Sequence, residues 1–270
     1  MIVFPNCKIN LGLQIVNKRA DGYHNIETIF YPIPFYDALE VVPTTSPVTT
    51  LHITGTTPPG NNADNSCVLA YQLLKKDFPT LPAIAIHLHK AIPAGAGLGG
   101  GSADGAFALQ LYNQYFSLGL SQQQLSHYAL SLGSDCPFFI LNQPCIGKGR
   151  GELLENIELS LLEYKMVLVN PGIHVNTGWA FSKITPALPK VPLKNIVTSP
   201  INTWKQLLIN EFEAPVFEQH PAIKHIKETL YQQGAIYAAM SGSGSTVFGI
   251  FNKEDHWHST FPPQYFVKQI

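Results

Sequence analysis

Charged residues are scarce in this sequence, and their signs nearly cancel. Lysine and arginine number 17 and aspartate and glutamate 18 among 270 residues, which leaves a net charge of −1. A chain with so little net charge has no broad electrostatic field that would attract nucleic acid or an anionic membrane surface. The composition, 45% hydrophobic and 13% charged, also argues against a disordered chain and indicates a globular one.

Cysteine is scarce as well, and its spacing indicates neither a zinc site nor a disulfide framework. The four cysteines, at positions 7, 67, 136 and 145, form no CxxC pair, which fits a reducing cytoplasm. No segment approaches the roughly 18 consecutive apolar residues of a membrane span, and no small-residue cleavage site follows the apolar start. We therefore expect a soluble cytoplasmic protein that starts at its natural N-terminus and has no membrane partner.

The hydrophobic pattern predicts strands and helices in mixed order. Alternating apolar residues predict strands at 9–15 and 83–90, and further strands are predicted at 36–44, 164–169, 236–240 and 246–251. Helical spacing and capping residues predict helices at about 65–76, 102–116, 121–133 and 221–234. The stretches 56–62 and 184–199 predict loops, and a change of composition across 142–160 predicts a domain junction. Because no regular βαβ rhythm is present, the sequence favours an α+β fold.

A glycine-rich loop follows the strand predicted at 83–90. Five glycines stand within residues 95–101, and a predicted helix begins directly after them. Strand, glycine loop and helix together form a geometry in which backbone amides and the helix dipole bind phosphate. Lysine and arginine are absent from the loop, but backbone amides alone can bind an anion.

Four interpretations compete for this loop. Gly95, Gly97 and Gly100 satisfy the GxGxxG fingerprint of dinucleotide-binding folds, but residues 115–125 contain no acidic residue for the ribose. Gly95 and Gly100 also fit a P-loop, except that Gly101 stands where that motif requires lysine. A flexible turn needs one or two glycines rather than five. The remaining interpretation is the PxGxGLGGGSA phosphate loop of a different kinase superfamily.

The loop and six further motifs resemble those of the GHMP kinases, the superfamily of galacto-, homoserine, mevalonate and phosphomevalonate kinases. The KxN motif followed by ADGYH is the most specific, because it separates one branch from its relatives. The motifs, which spread over most of the chain, are KINLGLQIVNKRADGYHNIETIF at 8–30, DN at 64–65, PAGAGLGGGSAD at 93–104, LGSDCPFF at 132–139, GKGRGE at 147–152, PGIHVNT at 171–177 and MSGSGSTVFGIF at 240–251.

This resemblance implies a two-domain α+β GHMP kinase fold. An N-terminal ribosomal-protein-S5-like domain would cover residues 1–155, and a C-terminal ferredoxin-like α/β domain would cover 156–270. The implied activity is ATP-dependent phosphorylation of a small-molecule substrate that carries a cytidine diphosphate group. Mg²⁺ would arrive with ATP, no protein ligand for it is predicted with certainty, and no nucleic acid partner is implied.

The resemblance assigns ATP to the glycine loop and to the helix that follows. The Ser102 hydroxyl would contact a phosphate or Mg²⁺, and a plain helix N-cap is the alternative. Asp64 and Asn65 would lie near the adenine, and capping of a helix is again the alternative. The predicted ATP-binding residues are Asp64, Asn65, Pro93, Ala94, Gly95, Ala96, Gly97, Leu98, Gly99, Gly100, Gly101, Ser102 and Ala103.

Lys8 and Asp135 are the predicted catalytic residues. By resemblance, Asp135 would accept the proton of the substrate's 2-hydroxyl, whereas residue statistics favour a turn-forming aspartate. Lys8 and Asn10 are two residues apart in a strand and therefore face the same side. A lysine on a core-lining strand needs an anionic partner, which Asp135 would supply. Lys8 would in turn keep Asp135 ionised and stabilise developing negative charge.

The resemblance also implies a cytidine pocket with aromatic residues. Tyr23 and Phe181 would stack on the two faces of the base, and His24 would bind its edge. Phe30 is a further candidate, and core packing is the alternative for both phenylalanines. The remaining substrate-binding predictions are polar groups of Asn10 and Thr177, the backbone of Arg150, and a second glycine loop with Gly242 and Gly244, for which a hairpin turn is the alternative.

Several conspicuous residues predict no site of their own. His87 and His89 alternate on a strand without an evident third metal ligand, and Cys136 has no histidine partner nearby. Asp104 stands where some relatives carry asparagine. It would lie in the first helical turn and favour the helix dipole, or help hold Mg²⁺ if it points inward.

The alternative functions come from different classes. One is another GHMP small-molecule kinase, of the homoserine or phosphomevalonate type, whose substrate has no base to stack. Another is a non-catalytic nucleotide-binding protein on the same fold, against which the presence of both Lys8 and Asp135 argues. The third is an NAD-dependent oxidoreductase, which the missing acidic residue disfavours.

Overall fold

Two folded units share the chain, and each takes several separate segments of it. A computed structural model describes residues 1–56, 61–188 and 191–270. The first unit comprises Met1–Lys8, Pro32–Ala94 and Gly99–Gln143, and the second comprises Ile9–Tyr31, Gly95–Leu98 and Pro144–Ile270. The glycine loop therefore starts and ends in the first unit while residues 95–98 belong to the second. The domain boundary near residue 155 stays a prediction.

The first unit is built on a four-stranded sheet with helices. Its strands are β1 (Ile2–Val3), β4 (Ala38–Pro43), β5 (Thr50–Gly55) and β6 (Ile84–Lys90), in the order β1-β4-β6-β5. Strand β5 runs parallel to β6, and the other pairs are antiparallel. Its helices are α1 (Ser66–Asp77), α2 (Gly100–Tyr115), α3 (Gln122–Leu132) and α4 (Cys136–Leu141), with a 3₁₀ turn at Asn62–Asp64.

The second unit contains an antiparallel sheet in the order β10-β11-β9-β12. These strands are β9 (Tyr164–Asn170), β10 (Tyr237–Met240), β11 (Val247–Asn252) and β12 (Phe266–Gln269). Its helices are α5 (Thr177–Ser182), α6 (Leu193–Val197), α7 (Trp204–Leu207), α8 (Glu213–Gln219) and α9 (Pro221–Gln232), with a 3₁₀ turn at Ile201–Thr203. A third sheet, β2-β3-β7-β8, joins β2 (Asn6–Lys18), β3 (His24–Tyr36), β7 (Cys145–Lys148) and β8 (Leu153–Asn156).

Period-two burial explains why the predicted strands form. In β6 the side chains of Ile84, Ile86 and Leu88 are at most 1% exposed, whereas His87 and His89 face solvent. In the second unit, Ile223, Ile226 and Leu230 of α9 pack against Val167 and Val169 of β9 in one apolar core. None of the helices in the described ranges is both long enough and apolar enough to cross a membrane.

Two local predictions need correction. Helix α2 begins at Gly100 with Gly99 as its N-cap, so Ser102 is a residue of the first turn and not the cap. Helix α6 lies inside the stretch predicted as a loop over 184–199, where Leu193 and Ile196 are buried. Helix α1 buries a face made of Cys67, Ala70, Tyr71 and Leu74. Parts of the predicted loops at 56–62 and 184–199 lie outside the described residues.

Candidate active site

Lys8 and Asp135 form an ion pair in the first unit. The Lys8 ammonium lies 3.4 Å from Asp135 Oδ2, which confirms the predicted pairing. The Lys8 side chain is 4% exposed and that of Asp135 is 34% exposed. Helix α3 ends at Leu132 with Gly133 as its C-cap, and Asp135 immediately precedes α4, which carries Pro137 in its first turn. The lysine is therefore buried while the carboxylate keeps access to solvent.

The start of α2 lies directly beside this pair. A Cβ on Gly99 would stand 3.1 Å from Lys8 Cε and 3.0 Å from Phe139 Cζ, closer than side-chain atoms normally come. Gly99 also has φ = +71°, a left-handed conformation that glycine adopts without steric cost. No side chain within the described range caps the first amides of α2, and a Cβ on Gly101 would meet open space. These amides can therefore bind an anion.

Ser102 and Cys136 are linked next to the same helix start. The Ser102 side chain forms a hydrogen bond with the Cys136 thiol, and burial raises the pKa of that thiol to about 12. A thiol with so high a pKa is protonated at neutral pH and is a poor nucleophile.

The N-terminus of α1 meets the N-terminus of α2. The Ser66 hydroxyl donates to the Gly101 carbonyl at 2.7 Å, and a Cβ on Gly105 would stand 2.9 Å from Ser66 Cβ. Asn65 caps α1 by accepting from the Cys67 amide at 2.9 Å, which is the alternative that the sequence offered for it. Asp64 is exposed in the preceding 3₁₀ turn.

The two glycine-rich loops touch in the second unit. The Ser241 hydroxyl donates to the Gly97 carbonyl at 2.8 Å, and the Thr246 amide donates to the Ala96 carbonyl at 3.1 Å. A Cβ on Gly97 would collide with the Ser241 carbonyl, so this close approach requires glycine. The second loop also connects antiparallel β10 and β11, so it is a hairpin as well as a partner of the first loop.

Asn10 is buried against the second glycine loop. The backbone amide of Asn10 donates to Ser241 Oγ at 3.1 Å, and its side-chain Nδ2 donates to Thr28 Oγ1 at 3.0 Å. A Cβ on Gly242 would stand 3.2 Å from Asn10 Oδ1. Gly242 and Gly244 both have positive φ, at +56° and +91°. The predicted polar and glycine residues are therefore neighbours within this unit.

Two of the aromatic candidates contact each other directly. His24 stacks on Phe181, with ring centroids 4.8 Å apart and an 8° angle between the rings, and the stacking of Tyr23 and Phe181 on a base stays a prediction. The Arg150 guanidinium lies 4.9 Å from the centroid of the Tyr23 ring, so the Arg150 side chain contacts another of the predicted substrate-binding residues. Burial lowers the pKa of His24. Tyr23 itself is 55% exposed, at the end of a turn in which the Arg19 amide donates to the Tyr23 carbonyl.

Helix α5 carries two of the predicted substrate residues on one face. Thr177 opens the helix, and Phe181 follows four residues later, a spacing that places both side chains on the same side. The Thr177 hydroxyl lies 2.8 Å from the Ser243 hydroxyl of the second glycine loop. Phe30, by contrast, is 1% exposed and packs against Gly147, which is the core position that the sequence offered as its alternative.

Comparisons with known proteins identify the family of this chain. Residues 65–143 match the GHMP kinases N-terminal domain and residues 194–256 match the GHMP kinases C-terminal domain. The chain is 52% identical over 258 residues to 4-diphosphocytidyl-2-C-methyl-D-erythritol kinase of Bacteroides thetaiotaomicron, with 94% of this chain and 93% of the relative covered. The chain belongs to the GHMP kinase family. It is accordingly an ATP-dependent small-molecule kinase.

One further relative and two solved structures are similar to this GHMP kinase. The corresponding kinase of Cytophaga hutchinsonii is 49% identical and covers 96% of this chain and 95% of its own. A crystal structure of 4-(cytidine 5'-diphospho)-2C-methyl-D-erythritol kinase superposes with a TM-score of 0.79 at 31% identity, over 93% of this chain and 90% of that one. The mevalonate kinase of Methanococcus jannaschii has a TM-score of 0.67 at 14% identity, over 94% and 92%, and shares the fold.

The rest of the predicted loop is held by buried side chains. Ala96 is 4% exposed, Leu98 is 1% exposed and Ala103 is fully buried, so their side chains pack inside the protein. Pro93 and Ala94 connect β6 to the glycines, and Gly95 has φ = +64°. Across the described ranges, no three His, Cys, Asp or Glu side chains gather to hold a metal ion. His87 stacks on His52, at 5.1 Å between ring centroids.

Sequence analysis missed a buried ionic cluster in the first unit. Asp104 is 2% exposed, pairs with Lys90 at 2.7 Å and lies beyond the first turn of α2, so the expectation that it favours the dipole from the first helical turn is wrong. A role for Asp104 in holding Mg²⁺ stays a prediction. Lys90 also contacts Asp37. Asn170, likewise missed, donates to Ser245 Oγ at 3.2 Å and Thr246 Oγ1 at 3.0 Å and so supports the second glycine loop.

Proposed function

We propose that this GHMP kinase transfers the γ-phosphate of ATP to the 2-hydroxyl of 4-diphosphocytidyl-2-C-methyl-D-erythritol, a step of the non-mevalonate route to isoprenoid precursors. The observation that carries the proposal is the Lys8–Asp135 ion pair beside Gly99, at the start of α2. Phosphoryl transfer mainly needs positioning and charge neutralisation, and a buried ammonium next to a phosphate-binding helix N-terminus offers both.

Each residue of the pair has a distinct role in the proposed reaction. The Asp135 carboxylate accepts the proton of the substrate hydroxyl, the oxygen then bonds to the γ-phosphorus, and ADP leaves. General base catalysis of this kind contributes about 10²- to 10⁴-fold in rate. Lys8 stabilises the negative charge that develops during transfer. Mg²⁺ carried with ATP would neutralise phosphate charge, and the amides at the start of α2 would bind the phosphates.

The cytidine group would be bound in the second unit. Phe181 and Tyr23 offer aromatic faces to a pyrimidine, and His24 offers ring nitrogens to its edge. Because His24 stacks on one face of Phe181, a base that stacks on that same face must displace the His24 ring. Asn10, Thr177, Gly242 and Gly244 would bind the remaining polar groups of the substrate.

The decisive measurement is ADP release by the purified protein with Mg²⁺ and ATP. We expect ADP release only when the cytidine diphosphate substrate is present, and a decrease of at least about 10²-fold in Asp135→Asn. Homoserine and phosphomevalonate serve as alternative acceptors in parallel reactions. Phosphorylation of either in place of the cytidine substrate, or an Asp135→Asn variant as fast as the wild type, would contradict the proposal.

A further inference from the structure

A cluster of three charged side chains is buried in the first unit, close behind the glycine loop. Lys90 Nζ contacts a carboxylate oxygen of Asp37 and lies 2.7 Å from Asp104 Oδ2. All three side chains are at most 3% exposed. Asp37 Oδ1 also accepts hydrogen bonds from the amides of Ala91 and Ile92, at 2.6 and 2.9 Å. Ion pairs that are so fully buried tolerate little displacement, because loss of one partner leaves a charge without compensation.

The cluster connects the two ends of the loop within this unit. Lys90 is the last residue of β6, before the loop begins, and Asp104 lies in α2, after the loop has ended. A Cβ on Gly100 would stand 3.4 Å from Lys90 Nζ and 2.9 Å from the Ile92 side chain. Gly100, the first residue of α2, therefore packs directly on Lys90 and on Ile92, whose backbone amide donates to Asp37.

The charge of the cluster depends on one proton. One ammonium and two carboxylates sum to −1 when all are ionised. Burial raises the pKa of Asp104 to about 7, although Lys90 acts in the opposite direction. The groups that face Asp104 are Lys90 of β6, Asp37 between β3 and β4, and the Cys67 thiol of α1. The Cys67 sulfur lies 3.6 Å from the backbone carbonyl oxygen of Asp104. Asp104 Oδ1 has no hydrogen-bond partner within the described part of the chain, so it is available for a proton.

We propose that Lys90, Asp37 and Asp104 act as positioning residues that hold the two ends of the phosphate loop at a fixed spacing, and that proton uptake by this cluster strengthens ATP binding. The inference rests on the proposed function, because it requires phosphate at the start of α2. A net negative charge within the first two turns opposes an anion at a helix N-terminus, and a proton on Asp104 removes that opposition.

The test compares ATP affinity across pH in the wild type and in Asp104→Asn. The variant keeps the shape of the side chain but stays neutral at every pH. Calorimetric titration with Mg²⁺ and ATP should show wild-type affinity falling as pH rises from about 6 to about 8. At the upper end of this range, the variant should bind about 3- to 10-fold more tightly than the wild type. The KM for the cytidine substrate should not change.

Two further variants separate positioning from general stability. Asp37→Asn, which removes the other carboxylate charge, provides a second variant should Asp104→Asn fold poorly. Tyr112→Phe removes a buried 3.0 Å hydrogen bond from the same helix α2, to the Cys67 carbonyl, and leaves the loop ends alone. It should lower the melting temperature while keeping the wild-type pH profile of ATP binding.

The outcomes distinguish this inference from the proposed function. Identical pH profiles for the wild type and both carboxylate variants would overturn the inference, as would a changed profile in Tyr112→Phe. If the wild type binds ATP with the expected pH profile but releases no ADP with the cytidine substrate, the proposed function fails and the inference stands. If the wild type binds no ATP at all, both fail.

Discussion

Two lysine–aspartate sites in the first unit use the same side chains in opposite surroundings. Lys8 lies 3.4 Å from Asp135, and Asp135 is 34% exposed. Lys90 pairs with two aspartates, and all three side chains are at most 3% exposed. A carboxylate that keeps solvent access can meet a substrate hydroxyl, whereas a buried one cannot. Exposure of the carboxylate, more than the ion pair itself, therefore distinguishes the site suited to chemistry from the site suited to support.

The largest expected effect concerns the Lys8–Asp135 pair, whose carboxylate is accessible to solvent. Lys8→Met should lower kcat about 10²- to 10³-fold, because it removes the positive charge that we propose stabilises the transferring phosphoryl group. The midpoint of urea unfolding should move little, since Asp135 can be hydrated. The surface variant Lys224→Met, with a side chain 58% exposed, is the matched control and should keep wild-type kcat. Retention of kcat in Lys8→Met would remove the distinction between the two sites.

A substitution in the buried cluster of Lys90, Asp37 and Asp104 should lower the stability of the protein. Lys90→Met leaves two buried carboxylates without a cation, so the free energy of unfolding should fall by about 3–5 kcal/mol. Lys194→Met breaks a 2.8 Å bridge to Glu155 in which both side chains are about half exposed, and it should cost less than about 1 kcal/mol. Urea titrations of the two variants measure both values. Equal losses would show that burial does not matter here.

The pH dependence of stability sharpens the same comparison. The pKa of Asp104 is raised from its ordinary value of 3.8 to about 7 by burial. Between these values the folded protein binds more protons than the unfolded chain, so this residue makes the free energy of unfolding fall as pH rises. Asp104→Asn should therefore flatten the profile between about pH 4 and pH 7. The same substitution at Asp135 controls for the loss of one carboxyl, and an unchanged slope in Asp104→Asn would contradict the assignment.

The smallest effect is expected at the exposed Tyr23 ring. The Arg150 guanidinium lies 4.9 Å from its centroid, and such an exposed cation–π contact is worth about 0.5–1 kcal/mol. Arg150→Leu should therefore raise the KM for the cytidine substrate about 2- to 5-fold and leave the KM for ATP unchanged. Lys205→Leu removes a similar contact, 4.3 Å from the Tyr231 centroid, and should change neither KM. Equal changes in both KM values for Arg150→Leu would argue against this role.

Strands were the most predictable part of the fold. Alternating burial in β6 follows directly from alternating residue types, because successive side chains point to opposite faces. The start of α2 was less predictable, since serine is a favoured N-cap and drew the predicted start to Ser102. The observed cap is Gly99, which has a positive φ and leaves no room for a Cβ beside Lys8 and Phe139. Helix α6 was missed because the prolines around it predict a loop.

The candidate site likewise contains contacts that could be predicted from the sequence and contacts that could not. The pairing of Lys8 with Asp135 was predictable, because a lysine on a core-lining strand requires an anion and the motifs offered one. The stacking of His24 on Phe181 was not, because it depends on the orientation of two rings that are distant in sequence. The contact between Gly97 and Ser241 was likewise outside the reach of either glycine motif read alone.

The amino-acid sequence alone determined which backbone segment can bind phosphate and which segments tend to form strands. A missing Cβ and a period of two are properties of neighbouring residues, and they hold in any fold. Only the tertiary structure decided which charges became buried, since Lys90 meets Asp37 and Asp104 across 53 and 14 positions of the chain. The cost of burying a charge depends on every atom that surrounds it, and those atoms are assembled only when the chain folds.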